Sequence, residues 1–398
     1  MAFNNSSTTR CNDGECHTVN LIEYSMTERT AIVAANMLIF LLAIPANGIV
    51  ITVISRVQNV QTPTSTFLMN LCIADILIAS LYIPFVTVDL YVAGSWIFGD
   101  TMCKLVSFLY YLATNLSILI LTAISVERYV SVCRPRQIRL TAKKAFVITV
   151  LLWFVAGFTA LPLLIVRKSI FNPIVNVYFC VETWSFKYSK AYKTVTLAML
   201  YVTPLVFMAV VYYKIGRKVW TSADKTRTMK LSTKHASNSK LRLTKIALAI
   251  ILSFAVSWTP FNTTTLLFFY DRKNFPYSKE AMHVAQPIIF FVAFSNCSLN
   301  PLLYCYMSQN FRKAFQIFWK RRSRRDLGDS FSVFSRTSTK RFSRKSKRRA
   351  EEAVKEPNGV PFAHETLRTK SDNPDYSPTS QQPEMHNTVE SILITSAV

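Results

Sequence analysis

Seven long stretches of this chain carry almost no charge, and that pattern limits the fold more than any other feature. Residues 30–55 run uncharged from Arg29 to Arg56, and residues 57–88 contain only Asp75. The stretches 105–126, 145–166, 194–213, 246–270 and 281–311 complete the set. An α-helix needs about 20 mostly apolar residues to cross the hydrocarbon core of a bilayer. Within that core, a helix satisfies its own backbone polar groups segment by segment. The expected fold is therefore an all-α membrane protein, a bundle of seven transmembrane helices in a lipid bilayer. The seventh stretch is too long for one span. Its end, with Phe311-Arg312-Lys313-Ala314-Phe315 and Phe318-Trp319, has the pattern of a short amphipathic surface helix. The expected organisation is an outer segment 1–29, a seven-helix domain 30–308, a surface helix 309–320 and a tail 321–398. The tail is rich in Ser, Thr, Lys, Arg and Pro, which predicts disorder.

Charge sets the orientation. The stretch after the third span carries Arg134, Arg136, Arg139, Lys143 and Lys144 with no acid. The stretch from Lys214 to Lys245 carries ten Lys or Arg against Asp224. Cytoplasmic loops collect such residues, so the N-terminus is expected outside and the C-terminus inside. The loop after span four is an exception, with Arg167, Lys168, Lys187, Lys190 and Lys193 against Glu182. A formal net charge of +24 could suggest nucleic acid, but basic residues lining an inner membrane face account for it and no nucleic-acid-binding pattern accompanies them. No nucleic-acid partner is expected. The segment before Arg29 has no apolar h-region, so the first span is expected to act as its own insertion signal. Asn4 and Asn5 each begin a glycosylation acceptor triplet on the outer terminus.

Several polar residues stand where an apolar span should exclude them. Asp75 lies eleven residues from Thr64, about 16 Å along a helix, and so near mid-membrane. An ionisable group at that depth is a functional candidate. Asn47, Ser117, Asn296 and Asn300 are its candidate partners. Glu127-Arg128-Tyr129 closes the third span at its inner end, and Cys103 opens it. Cys180 is the one Cys in the loop after span four, so a Cys103–Cys180 disulfide in the oxidising exterior would pin that loop over the bundle mouth. Prolines 84, 162, 204, 260 and 301 each free a carbonyl and permit a kink. Trp258-Thr259-Pro260 and Asn300-Pro301-Leu302-Leu303-Tyr304 set bulky or polar groups beside such kinks.

Taken in order and spacing, these residues resemble the rhodopsin-like class of G-protein-coupled receptors. The matching elements are Asn47-Gly48-Ile49-Val50, Leu71-Cys72-Ile73-Ala74-Asp75, Trp96-Ile97-Phe98-Gly99 followed by Cys103, Glu127-Arg128-Tyr129, Trp153, Pro204 with Tyr212, Trp258-Thr259-Pro260 and Asn300 to Tyr304. The resemblance implies a receptor that couples an extracellular ligand to a heterotrimeric G protein at the plasma membrane, not an enzyme. It implies a sodium pocket at Asp75, Ser117, Asn296 and Asn300, with the ion as an allosteric modulator and no other cofactor or metal. It implies a packing switch of Ile118, Pro204, Phe254 and Trp258, and a G-protein switch of Glu127, Arg128, Tyr129, Tyr212 and Tyr304. Two motifs depart from the usual form: Glu127 stands where the class has Asp, and Ser257 where it has Cys. No Cys follows Cys305, so the usual palmitoylated anchor is missing.

The ligand expectation narrows further. Tyr110 stands where amine receptors of the class carry Asp, and residues 105–126 hold no acid. Cys180-Val181-Glu182-Thr183-Trp184 resembles the loop of orexin, neuropeptide FF and cholecystokinin receptors. Trp258, Phe261, Asn262 and Thr265 share a helix face. With Tyr110, Thr114, Gln286 and Phe290 they form the expected pocket, and Asp89 and Glu182 stand above it. The expected ligand is a short extracellular peptide, basic or amidated at its C-terminus; an orphan or lipid receptor of the same fold is the alternative. A seven-span transporter is a more distant rival, and no repeat symmetry supports it. A hydroxyl cluster from Ser330 to Thr339 is expected to serve receptor kinases and arrestin, and Ser396-Ala397-Val398 fits a PDZ-domain ligand.

Overall fold

The computed structural model describes residues 7–12, 15–20, 24–56, 62–134, 140–226, 231–270, 279–307, 311–313, 315–317 and 319, with backbone alone at 7–20, 222–240, 279–280 and 307. Strands β1 (Ser7–Asn12) and β2 (Glu15–Asn20) form an antiparallel hairpin that sets Cys11 opposite Cys16. Then come α1 (Met26–Arg56), α2 (Pro63–Leu81), α3 (Ile83–Thr87), a π-helical turn Val88–Ala93, α4 (Gly99–Cys133), α5 (Ala142–Ala160) and α6 (Pro162–Val166). Strands β3 (Arg167–Asn172) and β4 (Val177–Glu182) make a second hairpin. It is followed by α7 (Phe186–Leu197), a π turn Ala198–Val202, α8 (Thr203–Thr226), α9 (Leu231–Tyr270) and α10 (Lys279–Met307). Helical backbone is also present at 311–313, 315–317 and 319. Asn4, Asn5 and the tail 321–398 lie outside the described residues.

Seven helical segments are long and apolar enough to cross a membrane: Met26–Arg56, Pro63–Ala93, Gly99–Cys133, Ala142–Val166, Phe186–Thr221, Leu241–Tyr270 and Ala281–Tyr306. The expected count holds, and two boundaries differ. Asp89 belongs to the end of the second span instead of a loop, and it is buried. The fifth span starts at Phe186, eight residues before the uncharged stretch at 194. Counting uncharged residues truncates a helix wherever its outer turns carry charge, as Lys187, Lys190 and Lys193 do in the fifth span.

Proline marks a break in two of the spans. Pro84 follows the break at Tyr82, and Pro162 opens α6 directly after α5. Pro260 lies inside α9, and Pro287 and Pro301 lie inside α10. The start of α2 is fixed by a reciprocal cap: Thr62 Oγ1 accepts from the Ser65 amide (3.2 Å), and the Thr62 amide donates to Ser65 Oγ (2.6 Å). The third span, α4, lies at the centre, packed against α2, α5, α8 and α9. On the fourth span Phe154, Phe158 and Ile165 are each more than 70% exposed, the apolar outer surface a lipid-facing helix presents.

Candidate functional site

At one end of the bundle a disulfide joins Cys103, on the first turns of α4, to Cys180 of β4, with Cα atoms 5.5 Å apart. Polar contacts hold the hairpin in the same place. Asp100 accepts from the Ser169 amide (3.0 Å), the Trp96 amide donates to the Tyr178 carbonyl (2.8 Å), and Thr183 donates to the Val166 carbonyl through both its amide and its hydroxyl. Trp96 Nε1 donates to the Gly99 carbonyl (2.8 Å), where Gly99 adopts φ +77°. Only glycine reaches that conformation without strain.

Beneath the hairpin lies a buried charge cluster. Glu182, at the end of β4, is 3.1 Å from the Arg167 guanidinium and 3.1 Å from Lys193 Nζ. It also accepts from Ser189 Oγ (2.6 Å) and Trp184 Nε1 (2.8 Å). Burial by itself would raise the Glu182 carboxyl, but Lys193, Arg167 and the two hydrogen bonds outweigh it and hold the group down at about 2. The excess of basic residues noted in this loop therefore has a structural cause: two of them neutralise a buried acid. Lys193 also donates to the Tyr111 hydroxyl. Asp89, on the second span, is near enough to Arg167 to interact electrostatically, and its Oδ2 has no hydrogen-bond partner among the described residues.

Below this cluster, a cavity of about 70 Å³ opens between the third, fifth and sixth spans. Tyr110, Thr114, Phe261, Asn262 and Thr265, all expected from the sequence, line it. Asp89, Glu182, Gln286 and Phe290 lie outside its lining. Phe290 instead belongs to a closed ring of aromatics, Tyr110–Trp258–Phe261–Phe290–Phe294–Tyr82, with neighbouring centroids 3.9 to 6.1 Å apart. The ring joins spans two, three, six and seven at the level of Trp258. The sequence reading missed Tyr111, Lys193, Tyr201 and Phe269 in the lining. No α-helical period marks the face that holds Lys193, because the π turn at Ala198–Val202 shifts the register between it and the residues inward of the turn.

Most hydroxyls around the cavity are turned back on their own helix. Thr114 donates to the Tyr110 carbonyl (2.8 Å), Thr265 to that of Phe261 (2.9 Å), and the Asn262 amide group to that of Trp258 (3.0 Å). Trp258 Nε1 is buried with no hydrogen-bond partner among the described residues. Of the packing-switch residues, Ile118, Phe254 and Trp258 form the cavity floor, and Pro204 is buried on α8.

Deeper, Asn300 Nδ2 donates to Asp75 Oδ2 (2.9 Å). Asn47 donates to the Ala43 and Cys297 carbonyls, both at 2.8 Å, and Ser117 Oγ donates to the Ala113 carbonyl (2.9 Å). Asn300 Oδ1, Asn296 Nδ2 and the Tyr304 hydroxyl are buried without partners among the described residues. At the opposite end of the bundle, Arg128 pairs with Glu127 and donates to Thr64 Oγ1 on α2, and Thr64 Oγ1 in turn donates to Glu127 (3.0 Å). Tyr129 is half-buried, and Tyr212 on α8 lies beside Ser125 and Arg128. Trp153 Nε1 donates to Asn70 Oδ1 (3.0 Å), tying the fourth span to the second.

Residues 46–304 match the family described as the 7 transmembrane receptor (rhodopsin family). The neuropeptide FF receptor 2 of Rattus norvegicus is 32% identical over 298 residues, 71% of each chain. A QRFP-like peptide receptor of Branchiostoma floridae is 30% identical, covering 74% of this chain and 78% of the relative. The pyroglutamylated RF-amide peptide receptor of Rattus norvegicus is 29% identical, covering 72% and 69% respectively.

Proposed function

This chain belongs to the rhodopsin family of seven-transmembrane receptors, and on that premise we propose that it is a plasma-membrane receptor for a short amidated peptide. The observation that carries the reading is the cavity lining: aromatic and amide-bearing, with Lys193 as its one charged side chain and no carboxylate. A biogenic amine would bring its ammonium to a lysine and find no carboxylate in the lining to receive it. The three relatives described above, all named as receptors for peptides, support the same ligand class.

The signal passes inward through residues stacked in order. A ligand pressing on Trp258 and Phe261 moves the aromatic ring, and α9 turns about Pro260. The Asp75 layer favours the resting arrangement. The residues around Asp75 fit a sodium ion: a mid-membrane carboxylate, the Ser117 hydroxyl and the buried, unpartnered Asn300 Oδ1 are hard oxygen donors. Release of Arg128 from Glu127 and Thr64, with Tyr212 and Tyr304 beside it, opens the cytoplasmic face to a heterotrimeric G protein. The N-terminus is outside, on the side of the Cys103–Cys180 disulfide, and Asn4 and Asn5 carry glycans there. In the tail, receptor kinases and arrestin act on the cluster from Ser330 to Thr339, and the final Ser396-Ala397-Val398 takes a PDZ domain.

The test is a panel of amidated peptides and biogenic amines applied to cells expressing the chain, followed by nucleotide exchange on a purified G protein. Response to an amidated peptide, with exchange, is expected. A potent response to an amine alone would overturn the ligand class, and transport without exchange would overturn the receptor reading.

A further inference from the structure

The buried pair Lys193–Glu182 stands at the boundary between hairpin and cavity, and its charge arithmetic selects a ligand group. Lys193 is 6% exposed and lines the cavity, with Glu182 3.1 Å behind it. Arg167 also meets Glu182, and its second charge neighbour is Asp89 on the second span. The Lys193 ammonium is thus matched by Glu182 while still presenting a strong donor to the cavity. A neutral acceptor such as the carbonyl oxygen of a carboxamide can bond to Lys193 without adding charge. A carboxylate would be drawn to Lys193 but would enter a buried site whose cation is already matched by Glu182. Its desolvation would then go largely uncompensated.

We propose that Lys193 and Glu182 are the specificity element by which this receptor distinguishes a C-terminal amide from a free acid. Lys193 donates to the amide carbonyl oxygen, and Glu182 supplies the repulsion that excludes the acid. Such discrimination needs a repulsive element as well as an attractive one, and here both lie in one ion pair. The inference rests on the proposed peptide reading and assigns its chemistry to one wall of the cavity.

The experiment uses the full chain in cells and two synthetic pentapeptides of one sequence ending in Arg-Phe, one amidated and one a free acid. The readout is the ratio of their potencies within each variant, which cancels differences in surface expression. Wild type favours the amide at least tenfold. In Glu182→Gln the cluster gains a positive charge, and the ratio falls at least tenfold towards the acid. In Lys193→Met the cluster loses one, so amide potency falls about tenfold and acid potency falls further. If the pair only braces the hairpin, both peptides weaken together and the ratio stays at its wild-type value in both variants, which overturns the inference. Should Glu182→Gln fail to reach the surface, an unchanged ratio in Lys193→Met alone is sufficient to overturn it. Wild type silent to both peptides at saturation would overturn the amidated-peptide reading and this inference with it, whereas a response with an unmoved ratio overturns the inference alone.

Discussion

Replacing Thr64 with Val removes one hydroxyl from the inner end of α2 while nearly preserving side-chain volume. That hydroxyl accepts from Arg128 and donates to Glu127 (3.0 Å), so it ties the end of α4 to α2 from both sides. Arg128 is 5% exposed, which removes most solvent screening from the contact. A hydrogen bond to a charged group contributes about 1.5–3 kcal/mol. Thr64 itself is only half-buried, and the Glu127–Arg128 pair survives the change, so a loss of about 1–2 kcal/mol is expected. If Arg128 leaves Thr64 when the receptor activates, that energy belongs to the resting state alone and shifts the equilibrium between the two states. The ratio of active to resting receptor then rises about 5- to 30-fold. The assay is ligand-free nucleotide turnover by the G protein at matched surface expression. Thr66→Val, whose hydroxyl bonds back to the Thr62 carbonyl, serves as control. Turnover in Thr64→Val equal to that of the control would show that the contact persists in both states and would refute the argument.

Lys240→Glu is expected to lower ligand-free turnover, because the stretch from Ser237 to Lys245 has no acid to hold Arg128 and the substitution supplies one; the decrease should be several-fold at most, as an exposed pair contributes about 0.2–1 kcal/mol. Agonist affinity should be lower in sodium than in a large organic cation, and Asp75→Asn should abolish the difference; equal affinities in wild type would count against the ion. Changing Ser330, Ser332, Ser335, Thr337, Ser338 and Thr339 together to Ala should reduce agonist-driven arrestin recruitment, measured by proximity labelling in cells, and full recruitment would refute the assignment.

The seven spans were legible because a bilayer imposes one demand that composition alone reveals. The disulfide was legible because only one Cys was available in the relevant loop. The charge cluster was not. Lys193 read as a loop residue and Glu182 as a ligand contact, because a count of charges cannot see that two of them neutralise each other across eleven residues and a change of secondary structure. The Arg128–Thr64 contact was hidden for a similar reason. It spans 64 residues and involves a threonine of no distinctive context. Polar groups seek partners, but a sequence gives the groups without the pairing.

The π turn at Ala198–Val202 has a consequence for how helix five can vary. A π turn holds one residue more than the α-helix it interrupts, and each residue advances an α-helix by about 100°. The outer half of the span, with Lys193, is therefore rotated by about that angle relative to where an unbroken helix from Pro204 would set it. Deleting a single residue within the turn would restore the regular register and swing Lys193 away from the cavity, leaving everything inward of Pro204 undisturbed. Helix five is in effect two modules joined by a removable spacer. A one-residue insertion or deletion would exchange the whole face that lines the cavity without altering the half of the helix beyond Pro204.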